Sequence, residues 1–270
     1  MTRKIALVTG ATSGLGLAVA HLLSQQEDTI VLRTGWDPQL PVRPYDDYIF
    51  NADLTDPEHI TALADWAKQV KAESYEDEYP VLVNCAGINY IEWFEHLDWE
   101  MYEKLQRLNV RAGIELTQKL MSPEPPFDSD IPVDSFFTRY LLHEREGTIL
   151  NIVSNASHVP MTNSVAYNAS KGAFHIATLA MARELRKTHN LCIFGISPNK
   201  LAGTEMSSYI EDRVPGLRGW SSEEAAKYQL SALPAGAETD PFVLAEFIAF
   251  LLECPYRHKF LTNTVIPYGA

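Results

Sequence analysis

The chain has 270 residues, 46% hydrophobic and 21% charged, a balance that fits a soluble globular protein with a sizeable core and excludes a disordered or fibrous one. A formal charge of −13 and a pI near 5.0 oppose general attraction to nucleic acid or to an anionic membrane, both of which call for a basic face. Three cysteines without a CxxC pair and eight histidines without HExxH spacing point to reduced thiols and no metal, and no apolar run nears the roughly 20 residues that span a bilayer, so a cytoplasmic location is expected.

Two basic residues near the start precede an apolar run, Ile5 to Val8, that is too short for a signal peptide and leads straight into Thr9-Gly10. It reads as a first strand, residues 4–9. Further short β-branched runs follow at 29–34, 48–51, 81–84, 148–153, 192–197 and 261–266, separated by segments of helical period. The pattern predicts an α/β fold, a doubly wound, seven-stranded parallel sheet of Rossmann type with helices on both faces, in one domain over residues 1–270. An acidic stretch, 73–79, reads as a solvated turn. A proline-rich segment, 122–135, reads as an inserted loop before a helix at 136–145, and residues 201–234, with Pro215, Gly216 and Gly219 among short helical pieces, read as a mobile substrate lid.

The turn Thr9-Gly10-Ala11-Thr12-Ser13-Gly14-Leu15-Gly16 sits between the first strand and a helix at 17–23. Glycines let the backbone approach a pyrophosphate, and the free N–H groups at the helix start stabilise its charge, with Thr12 and Ser13 as hydroxyl donors. Farther along, Tyr167-Asn168-Ala169-Ser170-Lys171 puts Tyr167 and Lys171 one helical turn apart, and Ser154 ends a strand thirteen residues before Tyr167.

This spacing of glycines, together with Ser154, Tyr167 and Lys171, resembles the classical short-chain dehydrogenase/reductase family over nearly the whole chain. The resemblance implies an NAD(P)-dependent oxidoreductase that moves hydride between nicotinamide and a carbonyl or secondary-alcohol carbon. By the same resemblance Tyr167 is the general acid/base and Ser154 holds the reacting oxygen. Lys171 contacts the cofactor ribose, and Asn109 holds through its main chain a water that joins Lys171 to solvent. Asp53-Leu54 is similar to the family's adenine-contacting pair, and Asn84-Cys85-Ala86-Gly87 to its Asn-Asn-Ala-Gly signature, with Cys85 in place of the second Asn. Asn84 also has a purely structural reading, tying neighbouring strands. Pro198-Asn199 stands where the family has Pro-Gly, which leaves Pro198, Leu201 and Thr204 as the nicotinamide edge. The ending Pro267-Tyr268-Gly269-Ala270 departs from the family's Asp-Gly-Gly.

Physical chemistry gives Lys171 a purpose, because an unperturbed phenol with a pKa near 10 is a poor base at neutral pH. An ammonium about 5 Å away at an effective dielectric of about 20 contributes roughly 3 kcal/mol, which would lower the phenol's pKa by about two. At the end of the second strand Thr34 occupies the position where an acid would select NAD, and Arg33 beside it can attract a phosphate. Against that, Arg33 alternates with Thr34, Ser13 is not basic and Asp37 can swing in. On balance NADP is favoured, with NAD the other choice. The substrate pocket is expected to include Ser154, Ala156, His158 and Tyr167, with Val159, Asn89, Tyr90 and the lid around them. His175, four residues after Lys171, either faces that pocket or packs along its helix. Two other readings remain at this point. Ser154 in a Ser/His/Asp hydrolase lacks the GxSxG elbow, and a non-catalytic nucleotide-binding scaffold would use the same fold. Family members commonly assemble as homodimers or homotetramers through the helices beginning near Asp98 and Val165.

Overall fold

A computed structural model describes residues 3–39, 44–46, 48–70, 78–121, 147–189, 191–253 and 259–269. The proline-rich segment at 122–135, the helix expected at 136–145 and Cys254 lie outside the described residues, as does most of the acidic stretch.

Among the described residues eight strands form one sheet: β1 (Arg3–Thr9), β2 (Thr29–Gly35), β3 (Pro44–Asp46), β4 (Ile49–Asn51), β5 (Glu78–Asn84), β6 (Gly147–Ile152), β7 (Leu191–Pro198) and β8 (Val265–Tyr268). Their order is β3-β4-β2-β1-β5-β6-β7-β8. Seven run parallel, as expected; β3 is an added antiparallel edge that pairs with β4. The helices are α1 (Gly14–Ser24), α2 (Pro57–Gln69), α3 (Trp99–Gln106), α4 (Ala112–Met121), α5 (Val165–His189), α6 (Glu205–Arg218), α7 (Ser222–Ser231) and α8 (Pro241–Glu253).

Period-two alternation makes two cores from one sheet. In β1, Ile5 and Leu7 join Ile60 and Leu63 of α2 and Leu116 of α4, while Ala6 and Val8 join Val19 of α1 and Leu244 and Ile248 of α8 on the opposite face. The strand order reverses at β1, with β2 and β4 added on one side and β5, β6 and β7 on the other. That leaves a crevice beyond the carboxyl ends of β1 and β5, where open α/β sheets bind ligands.

The larger departures from expectation have physical reasons. Glu78 and Tyr79 belong to β5, not to a turn, because the Tyr79 ring is buried among apolar side chains. The last strand starts at Val265, not near 261, because Asn263 takes a left-handed φ of 64° and Thr264 N–H closes a turn onto the Leu261 carbonyl at 3.1 Å. Pro267 is then tolerated on an edge strand. The lid region holds two helices instead of short pieces. α6 continues through Pro215 to Arg218 and stops where Gly219 turns left-handed.

Candidate active site

The glycine turn is shaped by contacts that exclude side chains. Gly10 has φ +63°, and a Cβ there would meet the Ala86 backbone at 2.9 Å; at Gly16 it would meet the Gly10 carbonyl oxygen at 2.1 Å. Thr9 Oγ1 accepts from Cys85 N–H at 3.0 Å and Ala86 N–H at 3.1 Å, which binds the ends of β1 and β5 together. Ser13 precedes α1 without a side-chain cap, and Leu15 is buried beneath the turn, so the first N–H groups of the helix are presented to the crevice. This uncapped helix start over a glycine cradle fits a dinucleotide pyrophosphate. Thr204 stands across it, its methyl 3.4 Å from where a Gly14 Cβ would be.

The adenosine end is less as expected. Thr34 shares the inward face of Leu32 and is fully buried, its Oγ1 without a hydrogen-bond partner. Its hydroxyl therefore faces the core rather than a ribose, and only its carbonyl serves the turn, accepting from Ala11 N–H at 2.9 Å. Arg33 lies on the other face of the strand, half-buried. Next comes Trp36, exposed, with its ring 5.6 Å from that of His59. His59 Nδ1 accepts from Asp53 N–H at 3.2 Å, and Asp53 Oδ1 accepts from Thr55 N–H and Oγ1 at 2.9 and 2.8 Å. Leu54 is buried, and no carboxylate stands at the end of β2 itself.

The four expected catalytic side chains come together. A π-helical turn, Arg107–Arg111, separates α3 from α4 and carries Asn109 inward, 2% exposed. Asn109 Oδ1 accepts from Ile88 N–H at 2.9 Å, and its Nδ2 donates to the Ile88 carbonyl at 2.9 Å and to Ser170 Oγ at 3.0 Å. Gly87 lies against both this amide and the Lys171 ammonium. Lys171 Nζ donates to the Ile152 carbonyl at 3.1 Å. Ser154 Oγ accepts from Ala156 N–H at 3.2 Å beside the Tyr167 ring. Asn84 takes its structural reading, since its Nδ2 donates at 2.9 Å to Asn151 of β6, and Asn151 donates on to Thr178 at 2.9 Å.

Burial dominates the electrostatics. It pushes the Tyr167 phenol above its usual value, with the Ser154 hydroxyl acting the other way, and it pulls Lys171 down to about 8. Cys85, half-buried and within the field of Lys171, is pushed up to about 12 by loss of solvent and stays a thiol. The expected lowering of the phenol by Lys171 is not seen in the protein alone: loss of solvent raises Tyr167, and the opposing influence is the Ser154 hydroxyl.

Several side chains were not visible as site residues in the sequence. Tyr167 Oη donates to Met206 Sδ at 3.9 Å, so the first turn of α6 covers the phenol. Asn199, where a glycine was expected, donates to the Gly269 carbonyl at 2.7 Å and accepts from Thr239 Oγ1 at 2.6 Å, which explains both family departures as one stitch between the ends of β7 and β8. Pro198 pairs with Tyr268 in the same stitch. The bridge from Leu201 to Thr239 uses the Lys200 carbonyl and Ala202 N–H, leaving the Leu201 N–H outside that pairing, and Thr204 Oγ1 caps α6 on Ser207 N–H at 3.1 Å. His158 is exposed. It and His175 both turn to Ser157, at 3.1 and 2.9 Å, rather than to Tyr167 or Ser154, so the hydrolase arrangement is not built. Burial and then the His158 charge keep the His175 pKa low.

A family model described as short chain dehydrogenase matches residues 4–124 and 131–214. The chain belongs to the short-chain dehydrogenase family. This short-chain dehydrogenase is 27% identical over 259 residues to an NAD-dependent glycerol dehydrogenase of Listeria innocua, covering 93% of this chain and 87% of that protein. It is 26% identical to the L-xylulose reductase of Bos taurus, covering 97% of this chain and 93% of that one. The fold matches a single-residue variant of actinorhodin polyketide ketoreductase solved with NADPH, at a TM-score of 0.78 and 22% identity, over 99% of this chain and 97% of that one. This short-chain dehydrogenase is accordingly an NAD(P)-dependent oxidoreductase, and the scaffold reading is not favoured. Among the described residues no helix is long and apolar enough to cross a membrane, and no group of three His, Cys, Asp or Glu side chains is placed to hold a metal.

Proposed function

We propose that this enzyme is a ketone reductase in which Tyr167 donates the proton to the forming alcohol. The observation that carries the reading is the Tyr167 hydroxyl itself, set beside Ser154, with Lys171 one helical turn away. Bound nicotinamide supplies the hydride in reduction and takes it up in oxidation. Ser154 hydrogen-bonds the carbonyl oxygen and aligns it with Tyr167 Oη. The raised pKa of Tyr167 keeps it a phenol across the neutral range, which suits a proton donor. Lys171, pulled to about 8, can pass a proton toward the phenol as it is consumed, and Asn109, wedged between Ile88 and Ser170, holds the neighbouring backbone in place.

The phosphate cradle comprises Gly10, Thr12, Ser13, Gly14, Leu15 and Gly16, with Ala86 and Gly87 closing its floor. Asp53 and Leu54 flank the adenine, and Pro198, Leu201 and Thr204 flank the nicotinamide. NADP is the preferred cofactor. Support comes from the lack of a carboxylate at the end of β2 and from Arg33 nearby. We place the enzyme in the cytoplasm as a homodimer or homotetramer. The exposed Val165 and Ile176 on α5 support that assembly.

The test is a screen of ketones and secondary alcohols followed by cofactor absorbance, with NADPH and NADH in parallel. Ketone-dependent oxidation of NADPH at the higher kcat/KM is the expected result. No turnover with either cofactor across the screen would remove the reading, and a preference for NADH would correct its cofactor arm.

A further inference from the structure

We propose that Met206 is the specificity-determining residue of this site, selecting carbonyl substrates whose reacting carbon carries an apolar group; the proposal rests on the ketone reductase reading. The Tyr167 hydroxyl donates to the Met206 thioether at 3.9 Å. A thioether is a weak acceptor, so a carbonyl oxygen takes over that contact readily. Once it does, the Met206 sulfur and methyl lie against whatever substituent flanks the carbonyl.

The rest of the enclosure has the same character. Tyr167 packs in a cluster with Leu105, Ala156 and Ala166, and the half-buried side chains around it include Ile88, Tyr90, Met161 and Met206. The polar groups that accompany it, Ser154 and Lys171, belong to the proton-transfer set. A substrate hydroxyl pressed against such a wall without a partner is penalised by its lost hydration, whereas an alkyl or aryl group is stabilised by contact with polarisable thioethers.

The wall is tied to its surroundings on both sides of α6. Toward the loop after β5, Tyr209 Oη accepts from Ile91 N–H at 3.2 Å, Trp93 Nε1 donates to the Leu217 carbonyl at 3.0 Å, and Arg213 pairs with Glu92. Behind it, Lys200 Nζ gathers Glu211 at 2.8 Å, Gln229 at 2.7 Å and Glu238 at 2.6 Å. Selection therefore falls to the Met206 side chain, whose unbranched thioether adapts to the group it meets.

The experiment compares kcat/KM for acetophenone and 1-tetralone with kcat/KM for dihydroxyacetone and xylulose, in the wild-type enzyme and in Met206→Leu and Met206→Gln. The wild type is expected to favour the apolar ketones by at least about tenfold, and Met206→Gln to shift that ratio about tenfold toward the polyhydroxylated ones. Met206→Leu, similar in volume and apolar, keeps the wild-type ratio and shows that the site tolerates replacement. A wild-type preference for the polyhydroxylated ketones overturns the proposal while leaving the ketone reductase reading intact. So does a ratio unmoved in a folded Met206→Gln enzyme. Absence of turnover on all four ketones with both cofactors overturns the reading and the proposal together.

Discussion

The phosphate side of the crevice is shaped chiefly by close approach of main chain, whereas its substrate side is held by side chains that bridge separate elements. In the first, Gly10, Gly16 and Ala86 touch backbone to backbone, and the start of α1 presents its N–H groups. In the second, Lys200 collects Glu211, Gln229 and Glu238, and Trp93 reaches Leu217, 124 positions away. The two halves should therefore fail differently. Damage to the first appears in cofactor affinity, and damage to the second in KM for substrate.

Lys171 lies between the halves, and its replacement should have the largest effect. Lys171→Met is expected to lower turnover by about 10²–10⁴-fold, because proton delivery at Tyr167 is lost. The same change should stabilise the fold at pH 7. The folded protein holds Lys171 at about 8 instead of 10.5, so below pH 8 the buried ammonium costs about 3 kcal/mol. Between pH 8 and 10.5 the unfolded chain binds the extra proton, and stability from this group rises with pH. A thermal melt of both proteins at pH 7 and pH 10 should show a higher Tm for Lys171→Met at pH 7 and a smaller gap at pH 10; a lower Tm at pH 7 would deny the burial cost. In the wild type, reductive kcat/KM should fall as pH rises through about 8, where Lys171 loses its proton, while oxidation gains at high pH as Tyr167 ionises.

Gly16→Ala sets a Cβ 2.1 Å from the Gly10 carbonyl, contact that backbone cannot yield cheaply. Overpacking of this kind costs about 1–3 kcal/mol, so titration should show cofactor binding weakened about 10- to 100-fold. Unchanged affinity would mean that the turn is not the phosphate cradle. On the other wall, Lys200→Met should raise substrate KM about tenfold with kcat and cofactor affinity nearly unchanged, since three acceptors lose their common donor. Trp93→Phe removes a single hydrogen bond to α6 and should raise KM only about two- to fivefold. Equal effects of these variants on cofactor affinity would erase the distinction between the walls.

The same difference explains what could be read from the residues. Glycine turns, strand runs and the Tyr167–Lys171 spacing are local, because main-chain close approach and helical periodicity leave marks within a few positions. The seven parallel strands followed from such marks, while Asn109 and Ser154 stand out only by resemblance to the family. Asn199 looked like a defect in the nicotinamide edge, and only the arrival of Gly269 at 2.7 Å shows it as a stitch. Met206 carried no sequence signal, since a methionine in a helix reads as packing until a phenol is found beside it. Thr34 misled for a related reason: its place along the strand was right, but burial, not position, decides where a hydroxyl points.

Replacing Tyr167 with Phe tests the central claim most directly, since it removes one oxygen from a ring that is 6% exposed and leaves its packing in place. NADPH affinity, read by fluorescence titration, should stay within about twofold, while turnover of the best ketone found should fall by about 10²–10⁴-fold. Turnover retained in that variant would contradict proton transfer through this hydroxyl.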